Sequence, residues 1–176
     1  LHLNAAALGV DPKRIGIGGE SAGGGLAAAL ALLARDRGEV PIVFQKLTYP
    51  MIDDRTVTRD PPHPFTGEFV WTASSNKFGW RSLLGQEPGS PGVSPYAAAS
   101  RAESLAGLPP TYISVGALDI FLDEDLDYAK RLLAASVPTE LHVYPCAYHG
   151  YDIAVDADVT KRSARDALHS LKRALG

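Results

Sequence analysis

The stretch Arg14-Ile15-Gly16-Ile17-Gly18-Gly19-Glu20-Ser21-Ala22-Gly23-Gly24-Gly25 decides how the rest of the chain is read. Arg14 to Gly19 is a short apolar run with the signature of a buried strand. Ala22 to Arg37, almost all Gly, Ala and Leu, reads as a helix able to lie close against a sheet, with Gly38 as its stop. Between them Gly19-Glu20-Ser21-Ala22-Gly23 fits G-x-S-x-G, whose glycines permit a strained strand-to-helix turn that lifts the serine hydroxyl clear of the sheet. A strand directly before the motif and a helix directly after it are what that turn requires.

Upstream, His2 to Leu8 has a helical pattern, Gly9 stands where a left-handed helix end is common, and Asp11-Pro12 closes the turn. The opening residues read as the end of a helix, not as a signal peptide, so the chain is expected to begin in mid-domain. Downstream, Ile42 to Tyr49 reads as the next strand and Asp53 to Gly67, rich in Asp, Thr and Pro, as a loop. A helix is expected over Glu68 to Leu84, ended by the Pro, Gly and Ser of residues 86–95. Together, residues 53–95 read as an inserted lid or pocket-lining element. Thr111 to Gly116 is a third strand, Asp123 to Ser136 a helix with acidic residues at its positive end, Leu141 to Tyr144 a fourth strand, and Lys161 to Leu175 a final amphipathic helix. Strands alternating with helices predict an α/β domain over residues 1–176, with about four parallel strands flanked by helices.

The 176 residues, 45% hydrophobic and 21% charged, suit one globular domain with a real core. A net charge of −3 with scattered Lys and Arg offers no basic stripe to nucleic acid. The longest apolar run, Gly25 to Ala34, falls well short of a membrane span. The single cysteine, Cys146, and the lack of metal-ligand spacing argue against disulfides, a metal site or any cofactor, and fit a cytoplasmic location.

A serine hydroxyl needs a histidine base and a carboxylate to orient that base. Asp119 follows the third strand by a few residues and His149 follows the fourth in the same way, at the carboxyl ends where open α/β sheets build their sites. Ser21, Asp119 and His149 are therefore the expected catalytic set. Asp53 and Asp54 are the alternative acids, and Cys146, three residues before His149, is an alternative nucleophile that nothing places on a sharp turn.

With those residues in place, the chain resembles the C-terminal part of the bacterial hormone-sensitive-lipase family of serine esterases, which have the α/β-hydrolase fold. The resemblance rests on Asp11-Pro12-Lys13-Arg14-Ile15, Gly19 to Gly24, Ser94-Pro95, Leu108-Pro109-Pro110-Thr111, Asp119 to Glu124, Tyr128-Ala129, Tyr144-Pro145 and His149-Gly150, in that order. It implies carboxylesterase activity on short- to medium-chain esters, with Ser21 as nucleophile, Asp119 as acid, His149 as base and the Ala22 N–H as an oxyanion donor. Amides, formamides or lactones suit the same chemistry, and a catalytically silent small-ligand-binding protein is the reading from another class. Glu20, Phe65, Phe69 and Phe78, with Trp71 and Trp80, are candidates to line the pocket. Family members carry a His-Gly-Gly-Gly segment upstream that completes the oxyanion hole, and this sequence contains none. The first strands of the family's sheet are also missing, so the strand before Ser21 is expected to be an open edge. Two associations are expected to compete: a homodimer through Leu141 to Tyr144, or contact with the missing N-terminal segment.

Overall fold

Successive strands are joined by crossovers too long for a hairpin, which is what parallel pairing requires. In a computed structural model describing residues 1–176, four of them form one sheet in the order β1-β2-β3-β4: β1 Gly16–Glu20, β2 Phe44–Thr48, β3 Thr111–Gly116 and β4 Thr139–Tyr144. The pairings are parallel throughout, with Glu20 beside Thr48, Thr48 beside Ser114, and Gly116 beside Tyr144, so the carboxyl ends of all four strands lie along one rim.

The helices are α1 Ala5–Leu8, α2 Ala22–Arg37, α3 Ala73–Leu84, α4 Leu122–Ala134 and α5 Asp158–Leu175. Side chains alternate across a strand, and the core divides accordingly. Leu47 and Ile113 join Ala28, Ala31 and Leu32 of α2 and Tyr128 and Leu132 of α4 on one face. Phe44 and Tyr112 meet Ala167 and Leu171 of α5 on the other. No helix is long and apolar enough to cross a membrane.

The expected elements are present with shifted limits. The largest shift is in α3, which starts at Ala73 instead of Glu68. Val70 takes a left-handed conformation at φ 62°, and the Thr72 hydroxyl accepts the Ser75 N–H, so the helix is capped there and residues 68–71 stay outside it. The segment His2 to Leu8 divides into a 3-10 turn, His2–Asn4, and the single turn of α1, with Gly9 at φ 64° ending it as expected. The last helix begins at Asp158, three residues before the expected Lys161.

Candidate active site

The rim formed by the strand ends carries the site, and each of its residues is set by a close backbone approach. At the end of β1 the chain turns so sharply that a Cβ on Gly19 would lie 2.1 Å from the Gly23 carbonyl oxygen. Only glycine fits there. Ser21, next to the turn, has φ 55° and ψ −125°, a strained conformation for a side-chain-bearing residue. Its backbone is held from the end of β2 and the loop after it: the Ser21 N–H donates to the Thr48 carbonyl at 3.0 Å, and the Met51 N–H donates to the Ser21 carbonyl at 3.0 Å.

The loops after β3 and β4 are pressed together in the same manner. A Cβ on Gly116 would stand 2.4 Å from the Ala147 carbonyl oxygen, and the Leu118 N–H donates to that carbonyl at 2.8 Å. This contact brings Asp119 and His149 face to face. His149 Nδ1 lies 2.9 Å from Asp119 Oδ2, and His149 Nε2 lies 2.9 Å from Ser21 Oγ. The other Asp119 oxygen accepts the Phe121 N–H at 3.0 Å, which satisfies a fully buried carboxylate. A carboxylate only accepts, so Nδ1 donates to it and Nε2 is left to accept from the serine hydroxyl. The arrangement can draw the proton from Ser21 and stabilise the imidazolium that results.

Three aromatic rings enclose the imidazole: Tyr49 at 4.7 Å, Phe121 at 5.1 Å and Trp71 at 6.2 Å between ring centres. The α2 N-terminus begins at Ala22, whose N–H, in the first position of the helix, has no intrahelical acceptor.

The alternative acids are engaged elsewhere. Asp53 pairs with Arg55 at 2.8 Å, and Asp54 takes Arg101 through both oxygens at 2.8 Å and the Gly89 N–H at 2.6 Å. Burial opposes ionisation of Asp54, yet these partners prevail and hold its carboxyl below the usual range. Cys146 is exposed on the loop before His149, whose Nε2 is already occupied by Ser21. No group of three or more His, Cys, Asp or Glu is placed to hold a metal ion.

Of the expected pocket residues, Phe69 packs on Tyr148 at 5.6 Å, beside His149. Phe65 leans on His63 with 74% of its surface exposed, Phe78 is equally bare on α3, Trp80 is buried in the core, and Glu20 turns to Lys46 at 3.3 Å. The rings that reach the imidazole are those of Tyr49, Phe121 and Trp71. Sequence reasoning missed the first two; for Tyr49 the tyrosine and proline just past β2, beside the segment that grips Ser21, were the available signal. The larger grooves lie away from Ser21: about 550 Å³ between the start of β1 and α2, lined by Leu3, Ile15, Leu30 and Ile42, about 510 Å³ between Arg35 of α2, Pro41 and Pro109, and about 430 Å³ at the amino ends of the strands near Phe44 and Arg173.

A family model described as the alpha/beta hydrolase fold matches residues 1–153. The chain belongs to this family. The similarity of this α/β-hydrolase chain to the hormone-sensitive-lipase type of esterase, read from its motifs, extends to its relatives. Carboxylesterase NlhH of Mycobacterium tuberculosis is 36% identical over 177 residues, covering 98% of this chain and 54% of that protein. Esterase LipI of the same organism is 37% identical over 148 residues, covering 82% and 44% respectively. Among solved structures, a bacterial heroin esterase superposes with a TM-score of 0.92 at 44% identity, covering 99% of this chain and 56% of that one. Esterase LipW of Mycobacterium marinum gives 0.85 at 39% identity, covering 98% and 54%. The α/β-hydrolase chain thus spans about half the length of the relatives it matches.

Proposed function

We propose that this chain carries the nucleophile, base and acid of a serine carboxylesterase. His149 takes the Ser21 proton, Ser21 attacks an ester carbonyl, Asp119 steadies the imidazolium, and water then hydrolyses the acyl-enzyme with His149 returning the proton. The observation that carries the reading is the continuous contact Ser21 Oγ–His149 Nε2 and His149 Nδ1–Asp119 Oδ2, at 2.9 Å in both links. The Ala22 N–H is one donor to the oxyanion, and no metal or cofactor takes part.

The substrates are esters of short to medium acyl chains, with residues 53–95 as the lid. Phe69 and Trp71 are its members beside His149. Names of the relatives, carboxylesterase and esterase, support the ester over the amide or lactone. The open edges of β1 and β4 offer two places for association, with further chain or with a second copy. The lone cysteine fits the cytoplasm.

The test is covalent labelling of the full-length protein with a fluorophosphonate, beside a Ser21→Ala control. Modification confined to Ser21, together with ester turnover lost in the control, is expected. Ester hydrolysis surviving Ser21→Ala would sink the proposal.

A further inference from the structure

Tyr49 stands between the two halves of the site. It is the first residue past β2, with φ 35°, a backbone conformation that costs a non-glycine residue about 1–3 kcal/mol and persists only where its surroundings enforce it. The residues around it, Thr48 and Met51, are the ones whose backbones grip Ser21, and the Tyr49 N–H itself donates to the Ser114 carbonyl at 2.6 Å. Its side chain, 4% exposed, runs the other way, into the loop that carries His149.

There the ring meets the imidazole at 4.7 Å and 63°, an edge-on approach, and the hydroxyl donates to Asp152 Oδ1. Asp152 lies three residues past His149, in the 3-10 turn Tyr151–Ile153, and the Tyr151 ring closes on Tyr49 at 5.6 Å. Burial, and then the bond to Asp152, push the Tyr49 hydroxyl above its ordinary pKa, so it remains a donor. Phe121 supports the imidazole with a second edge-on ring at 5.1 Å and 86°. One side chain therefore fixes the distance between the turn that holds Ser21 and the loop that holds His149.

We propose that Tyr49 and Asp152 form a clamp that positions the imidazole of His149 against Ser21, Tyr49 being a positioning residue of the esterase reaction and not a participant in it. This rests on the reading of Ser21, His149 and Asp119 given above. The clamp matters because a misplacement of about 1 Å at a reacting group costs on the order of 100-fold in rate. Tyr49→Phe keeps the ring and loses the anchor, and Asp152→Ala loses it from the other side. Asp152→Asn keeps an acceptor oxygen for the tyrosine hydroxyl.

The experiment follows Ser21 phosphonylation in the full-length protein, separating kinact from KI, at a temperature well below every variant's melting point. Tyr49→Phe and Asp152→Ala are each expected to lower kinact by roughly 10-fold with KI unchanged, and the double variant to lose no more than either alone, as two ends of one contact do. Asp152→Asn is expected to stay within about 3-fold of the parent, since the acceptor survives. The proton on His149 Nδ1, followed by NMR, is expected to broaden in the two weakened variants and to stay sharp in Asp152→Asn. A parental kinact in Tyr49→Phe, or losses that simply add in the double variant, would overturn the clamp. Labelling that persists in Ser21→Ala would instead overturn the esterase reading beneath it.

Discussion

Ser21 pays in backbone strain for its position, and the pressure on the residues around it follows from that. A serine at φ 55° has its hydroxyl lifted toward His149 only while Thr48 and Met51 hold its N–H and carbonyl. Asp119 has a subtler duty, because its negative charge fixes which imidazole nitrogen bears the proton. Asp119→Asn keeps the shape but presents an amide N–H in place of an acceptor, so phosphonylation of Ser21 is expected to slow by about three to four orders of magnitude while the melting temperature moves little. Elsewhere, Glu124 is fully enclosed and its oxygens accept the Ile52 N–H at 2.7 Å, the Asp53 N–H at 3.1 Å and the Thr56 hydroxyl. Burial pushes its carboxyl up from 4.5 to about 8. The native state then binds a proton that the unfolded chain has released, so between these two values stability falls as pH rises, by up to about 1.4 kcal/mol per pH unit. Glu124→Gln mimics the neutral acid and is expected to flatten this dependence, which denaturant titrations at pH 5, 6.5 and 8 would register as converging midpoints. Parallel curves for parent and variant would refute the assignment.

At the scale of the elements, the site depends on loops being locked to one another. Gly116 lets the β3 and β4 exits touch, and a methyl group there would collide with the Ala147 carbonyl. Gly116→Ala is expected to destabilise the domain by about 1–3 kcal/mol. It should slow Ser21 labelling even in the fraction that stays folded, as chemical denaturation and probe kinetics measured together would show. The segment between β2 and β3 has its own fastening, the Asp54–Arg101 pair, in which the carboxylate is enclosed and the guanidinium partly exposed. Arg101→Met leaves Asp54, which has no exposed surface, with the Gly89 N–H as its remaining direct partner and is expected to lower the urea midpoint. The sequence made α2 and the strand–turn–helix around Ser21 legible, because Gly and Ala signal close packing and the hydrophobic runs are continuous. It made Asp119 and His149 legible through their place just past a strand. The start of α3 was hidden because a left-handed valine has no sequence mark, and the enclosure of His149 by Tyr49 and Phe121 was hidden because it joins residues 100 and 28 positions apart in the chain, contacts set by how the strands align and not by local pattern.

Across residues 1–176 as a whole, β1 and β4 are the margins of the sheet, and an apolar groove runs between the start of β1 and α2. Unpaired strand edges of this sort invite partners. The strand order also has a bearing on how such a chain is made. Neighbours in the sheet are neighbours in sequence, so each strand can dock on one already in place as synthesis proceeds from amino to carboxyl end. Along the chain Ser21 comes just after β1, Asp119 just after β3 and His149 just after β4. A polypeptide still on the ribosome with β4 unmade therefore displays Ser21 with no histidine beside it, and the Ser21–His149 contact can form only once β4 and the loop after it have been synthesised.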